Sequence, residues 1–344
     1  MEQVRPAGLR LSWLLTAVGV LAVAVLAGIA LGPVRLPPGS VATELLNLLP
    51  GVHLDSGLNE REIAIITQLR LPRVVLGMLV GAMLALAGAG YQGVFRNPLA
   101  DPYLLGVAAG AGLGATLAIA LRGSFWTSVP VFAFAGALGA VTLTYLLGIA
   151  GGRDRSGSTL ILAGVAISSF LAAIQTYVLQ RYADSIREVY SWLLGRLATG
   201  GWHDVVMILP YAIVSALVVL ALRRELDVLS VGDAEATTLG LHPGRSRLIL
   251  VMAASLATAA AVAVSGLIGF VGIIVPHVVR LLTGSSYRAI LPLSMVYGGA
   301  FMVGADLIAR TAVAPSELPI GVVTAFLGAP FFILVLRTTR SARL

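Results

Sequence analysis

The sequence predicts an all-α integral membrane protein with about ten membrane-spanning helices, and three observations carry that prediction. Apolar residues fill 58% of the 344 positions and charged residues only 11%. The mean hydropathy is +0.94. A water-soluble domain carries about a quarter charged residues, so this chain lacks the polar surface to stay in water. Its apolar residues also fall into long runs, and a helix needs roughly 20 of them to cross a hydrocarbon core of about 30 Å.

The first span is expected over 11–31. Arg5 and Arg10 precede an apolar run from Leu11 to Leu31, which is longer than the roughly 7–15 residue core of a cleaved signal peptide, so a retained helix is predicted. A long connection follows over 32–70, with Pro33, Pro37, Pro38 and the acidic stretch Asn59-Glu60-Arg61-Glu62. Further spans are predicted at 71–95, 103–121, 128–150, 159–182, 204–222, 247–265, 267–282, 289–309 and 319–336. The stretch 247–282 is nearly uncharged and too long for one crossing. Arg247 and Arg280 close its ends and Ser265-Gly266 marks its middle, so a hairpin returning to the same side is expected. Glycines cluster inside the second and third spans, at Gly77, Gly81, Gly88, Gly90 and Gly93, then at Gly106, Gly110, Gly112 and Gly114. Small residues let helices approach closely in lipid, so tight bundle packing is expected there.

Ten spans put both termini on one side. With the N-terminus in the cytoplasm, the inner segments hold 14 of the 23 arginines and seven carboxylates, while the outer ones hold nine of each. The whole net charge of +7 then sits on the cytoplasmic face, as the positive-inside bias requires. The basic pI of 10.2 therefore reads as membrane orientation, and the scattered short arginine loops argue against nucleic-acid binding.

Composition also excludes chemistry. No lysine occurs, and a phosphate-binding P-loop requires one, so the chain has no ATP site of that kind. No cysteine occurs either, which removes disulfides, thiolate metal sites and thiol catalysis. His53, His203, His242 and His277 are far apart and show no metal-ligand spacing. No nucleophile and base stand at matching positions, so no catalytic residue is assigned. Charges inside spans cost roughly 2.5–3.5 kcal/mol each and are the usual mark of ion coupling. Asp306 is the exception here, and Arg310 follows at i+4, which favours a structural ion pair.

The longest inner connection, 223–246, is too polar to span. After Gly232, the segment Asp233-Ala-Glu-Ala-Thr-Thr-Leu-Gly240 is predicted to form a short helix, with Asp233 and Glu235 at its N-terminal end and glycine as its stop.

Three sets of motifs then give a specific resemblance. They are Arg70-Leu-Pro-Arg73 followed by a glycine-rich helix, Gln92-Gly93 and Arg96-Asn-Pro-Leu-Ala-Asp-Pro102; Gly266-Leu-Ile-Gly-Phe-Val-Gly272 leading into Pro276-His277-Val-Val-Arg280; and Glu317-Leu-Pro-Ile-Gly-Val-Val-Thr324 leading into Gly328-Ala-Pro330. Over residues 60–336 the chain resembles the FecCD-type permeases, the membrane subunits of type II ABC importers for iron chelates, haem and cobalamin.

The resemblance implies one permease domain over 1–344, with the type II importer permease fold and 223–246 as its cytoplasmic coupling loop. Val231, Gly232, Asp233, Ala234, Glu235, Leu239, Gly240 and Leu241 would form the coupling segment that sits in a groove of an ATP-binding subunit. Arg70, Arg73 and Arg310 match outer-face arginines that grip glutamates of a periplasmic or lipid-anchored substrate-binding protein, as guanidinium forks do at wet interfaces. Gly157 and Ser158 fall where the family narrows its pathway at the cytoplasmic side. The implied assembly is a homodimer in the inner or plasma membrane of a bacterium or archaeon, with two ATP-binding subunits that hold ATP and Mg. The chain itself would bind no cofactor and no metal. Ferric siderophore is the favoured cargo, ahead of haem and cobalamin. The competing class is an ion-coupled secondary transporter, which needs intramembrane carboxylates.

Overall fold

A computed structural model describes the backbone of residues 8–121, 129–150, 157–197 and 201–341, and the side chains of 8–121, 129–148, 159–197 and 201–335. In chain order the helices are α1 (Leu11–Ala30), α2 (Pro38–Asn47), α3 (Glu60–Ala64), α4 (Leu71–Val94), α5 (Val107–Ala120), α6 (Val129–Ala150), α7 (Gly157–Arg181) and α8 (Ile186–Leu193). They continue as α9 (Trp202–Ala221), α10 (Arg223–Leu229), α11 (Asp233–Thr238), α12 (Pro243–Ser265), α13 (Val271–Thr283), α14 (Tyr287–Thr311) and α15 (Ile320–Ser341). The described residues contain no strand.

Seven helical stretches are long and apolar enough to cross a membrane, and α5, α13 and α15 are shorter apolar helices. Together they make the roughly ten helices that the apolar runs predict. The differences are local and physical. The second span begins earlier than residue 71, because α3 runs through a π-helical segment, Ile65–Arg70, into α4 as one 35-residue stretch from Glu60 to Val94. Asn59 starts it with a capping box: its side chain accepts from the Glu62 N–H at 3.0 Å, and the Glu62 carboxylate accepts from the Asn59 N–H at 3.0 Å. The third span starts at Val107 rather than 103, since Gly106 stands in the left-handed region at φ +84°. The eighth starts at Val271 rather than 267, and residues 266–270 run as a break between α12 and α13.

Helix α4 is the axis of the bundle and packs against α14, α12, α13 and α9. Two crossings depend on glycine. A Cβ on Gly81 would collide with the Gly298 carbonyl of α14, and one on Gly88 with the Gly272 carbonyl of α13. Without a hydrophobic drive between helices in lipid, such backbone contact supplies the van der Waals energy of association. Helix α1 lies at the edge and leaves Leu11, Leu15, Val18 and Val23 exposed for lipid.

Candidate functional site

The polar side chains that could act gather at the two ends of the bundle. At one end stands α11. Gly232 precedes it at φ +146°, where a Cβ would also run into the folded-back Glu235 carboxylate, so only glycine is comfortable there. The helix stops with a Schellman pattern: Leu241 N–H donates to the Ala236 carbonyl at 3.0 Å, Gly240 N–H donates to the Thr237 carbonyl at 3.0 Å, and Gly240 has φ +82°. Ala236 is fully buried and pins the helix from below, whereas Val231 and Leu239 are 66% and 69% exposed. Two exposed apolar side chains thus flank this short helix.

Asp233 ties this helix to two other elements. Its carboxylate takes two hydrogen bonds from Arg247 Nη2 of α12, both at 3.0 Å, and an ion pair from Arg96 Nη2 at 3.3 Å. Arg96 itself stands at φ +50°, a left-handed conformation rare for arginine. Next to this cluster Asp227 of α10 accepts from the Tyr287 N–H at 2.6 Å and from Ser286 Oγ at 3.2 Å, which fixes α10 to the start of α14.

At the opposite end the three arginines of the resemblance meet, although they were expected together on the surface. Arg70 and Arg310 are only 6% and 5% exposed. Arg70 donates to the carbonyls of Ile29, Ala30 and Val34, and Arg310 to those of Gly28, at 2.8 Å, and Leu31. The last turn of α1 leaves carbonyls without partners, and buried carbonyls need donors, so the two guanidiniums turn inward to supply them. Only Arg73 reaches the rim. It binds Asp306 at 2.7 Å and Glu317 with two parallel hydrogen bonds, Nη1 to Oε1 at 3.0 Å and Nη2 to Oε2 at 2.9 Å. Arg73 holds the Glu317 carboxyl below its usual pKa, and burial opposes that shift. Asp306, 2% exposed, also pairs with Arg310 at 3.0 Å, which is the i+4 ion pair expected from the sequence.

Along the side of the bundle an apolar groove of about 560 Å³ runs between α8 and α15, lined by Leu194, Leu267, Phe326, Pro330 and Ile333. The Gly157 and Ser158 side chains lie outside the described residues. Among the described residues no cluster of three or more His, Cys, Asp or Glu could hold a metal ion.

A profile of the FecCD transport family matches residues 20–338. The chain belongs to the FecCD transport family. It is thus a multi-pass membrane permease. A Halobacterium salinarum protein named as the cobalamin import system permease BtuC is 43% identical over 299 residues, covering 87% of this chain and 80% of that one. A Bacillus subtilis protein named as the Fe(3+)-citrate import system permease YfmD is 37% identical over 283 residues, 82% of this chain and 84% of that one. A solved structure of an inward-facing metal-chelate type ABC transporter aligns with a TM-score of 0.83 at 28% identity, covering 95% of this chain and 99% of that one.

The sequence did not single out Asp227 or Glu317 as the partner of Arg73, and it gave Arg96 and Arg247 no role towards Asp233. Each joins elements 14 to 244 positions apart. Glu317 and Arg96 did stand in the motifs of the resemblance, which was the available signal.

Proposed function

We propose that this permease is the membrane subunit of an ABC importer that moves a bulky metal chelate inward, energised by two ATP-binding subunits that carry the ATP and Mg. The observation that carries the reading is α11, a capped helix anchored through Ala236 and Asp233 that presents Val231 and Leu239 outward. The positive-inside count supports a cytoplasmic position for this face and for both termini; the cell would be bacterial or archaeal. The exposed apolar groove and Phe326 of α15 suit a second copy of the chain, with the pathway between protomers and Gly157 and Ser158 at its cytoplasmic narrowing.

A substrate-binding protein would dock at the opposite face. Arg73, with Glu317 beside it, is the accessible group there, and Arg70 and Arg310 would act by holding α1 and Asp306 in place. Ferric siderophore is the favoured cargo. The 43% identity to a protein named for cobalamin import supports a corrinoid as the second reading. The secondary-transporter class is disfavoured because Asp306, the carboxylate buried inside a span among the described residues, is already shared between two arginines.

The test is to reconstitute the complex with the ATP-binding and binding-protein subunits encoded beside it and to follow uptake of ferric siderophore, haem and cobalamin. ATP-dependent uptake of a ferric siderophore is expected. Uptake of cobalamin alone would replace the cargo, and uptake driven by an ion gradient without ATP would overturn the class.

A further inference from the structure

The segment 95–106, which carries the Arg96-to-Pro102 motif, links α4 to α5. It does not behave as a slack connection between α4 and α5. Asn97 N–H donates to the Gln92 carbonyl at 3.1 Å, Leu99 N–H to Asn97 Oδ1 at 3.0 Å, Ala100 N–H to the Asn97 carbonyl at 3.0 Å and Tyr103 N–H to Asp101 Oδ1 at 2.6 Å. Leu104 N–H and Gly106 N–H close the last turns on the carbonyls of Asp101 and Tyr103, at 3.1 and 3.0 Å. These bonds close the turns of the segment on one another and make it a single hydrogen-bonded piece.

Both of its ends are engaged. At the α11 end Arg96, in its left-handed conformation, reaches Asp233 at 3.3 Å. At the far end Pro102 packs on Gly272, where a Cβ would not fit, and Tyr103 grips the break between α12 and α13. The Tyr103 hydroxyl donates to the Ile268 carbonyl at 3.0 Å and accepts from the Ile268 N–H at 3.0 Å. Two residues on, Phe270 stands at φ +70° with its ring against Gly328 of α15. Asp233 meanwhile holds Arg247 in the first turns of α12. Helix α12 is therefore held near its start by α11 directly and just beyond its end by α11 through the 95–106 segment.

We propose that residues 95–106 form a strut that carries movement of α11 to the 266–272 break and on to α15, with Arg96 and Tyr103 as its two positioning contacts. This rests on the reading of α11 as the seat of the ATP-binding subunit. A working strut gives a two-state response that fails when one of its contacts is cut.

The chain has no cysteine, so one introduced at Leu327 of α15, exposed and outside the groove assigned to the second copy, gives one reporter per copy once any cysteines of the partner subunits are replaced. The full complex in nanodiscs is labelled with a maleimide, with and without ATP, in four backgrounds besides the unaltered one: Arg96→Gln, Tyr103→Phe, the two together, and Leu239→Arg. The labelling rate of the Leu327→Cys chain is expected to change on ATP addition. Arg96→Gln and Tyr103→Phe should each cut that change by about fivefold while the ATP-binding subunit still co-purifies, and the double variant should be no worse than the stronger single one. Full retention of the change in Arg96→Gln, which removes only a half-exposed pair and so spares folding, overturns the strut. Multiplicative losses, or no ATP response at Leu327→Cys in the unaltered background, overturn it as well. Leu239→Arg separates the two readings: if it leaves co-purification intact, the seat of the ATP-binding subunit is wrong, and the strut falls with it.

Discussion

Asp306→Asn isolates the energetics of the arginine end. The carboxylate is 2% exposed and lies between Arg73 at 2.7 Å and Arg310 at 3.0 Å. Asparagine keeps its shape and removes its charge, so Arg310 is left as a buried cation facing dipoles only. Breaking a buried pair by removing one partner costs about 3–5 kcal/mol. Arg73 retains Glu317, and Arg310 retains the Gly28 and Leu31 carbonyls, which argues for the lower end, about 3 kcal/mol. For a chain of this size that lowers the thermal midpoint by roughly 4 °C. The assay is thermal unfolding of the purified chain in one detergent, read by loss of monodisperse protein. Adding Arg310→Gln removes the stranded cation, so the double variant should recover part of the loss although it has one more substitution. A shift of less than about 1 °C for Asp306→Asn, or strictly additive losses in the double variant, would refute the shared-carboxylate account.

Three shorter expectations concern other links of the structure. Gly88→Val places methyl groups into the Gly272 carbonyl; overpacking a backbone crossing should cost about 3 kcal/mol or more and appear as aggregated protein on size exclusion. Tyr91→Phe removes the buried hydroxyl 2.6 Å from Ser255, whose own bond to the Val251 carbonyl persists, so a loss of about 1 kcal/mol in thermal stability is expected. Glu317 has a lowered pKa because of Arg73. Its contribution is full above the unfolded value of about 4.3 and is lost as pH falls through the lower folded value. The gap in thermal midpoint between the unaltered chain and Glu317→Gln should hold steady from neutral to mildly acidic conditions and close below about pH 4.

The spans themselves were legible because lipid demands an unbroken apolar run. The stretches 128–150, 204–222 and 289–309 correspond to α6, α9 and α14 within two residues at each end. The short helix α11 was legible too, since Gly232, the acidic first turn and Gly240 are all local signals. The misplaced starts fall where tertiary contact overrides local pattern. Tyr103 and Leu104 are apolar enough to open a helix, yet the Tyr103 hydroxyl is needed at Ile268 in a part of the chain 165 positions away. Glu60 and Arg61 looked like loop because they are charged, although the Asn59 and Glu62 spacing already spelled a capping box. The inward turn of Arg70 could not be read at all. It depends on which helix end lies beside it, and an arginine at a span boundary looks the same whether it faces water or orphaned carbonyls.

The two ends of the bundle use one device with different partners. At each, a single aspartate is shared by two arginines from separate elements: Asp306 by Arg73 and Arg310, Asp233 by Arg96 and Arg247. The difference is exposure. Asp306 is sealed against α1 and keeps α1, α4 and α14 together, whereas the Asp233 side chain is 45% exposed on a six-residue helix. Its pair with Arg96, exposed on both sides, is worth little as stability, about 0–1 kcal/mol, so its value lies in direction. It is weak enough to be rearranged when something seats on α11 and specific enough to pull two elements at once. Between the ends α4 meets α14 and α13 through glycine backbone contacts at Gly81 and Gly88. Such contacts resist separation but lack the interlocking side chains that would block small shifts. A bundle fastened firmly at the arginine face, smooth along its axis and loosely tied at the α11 face is one in which a push at α11 travels inward rather than tearing the outer end apart.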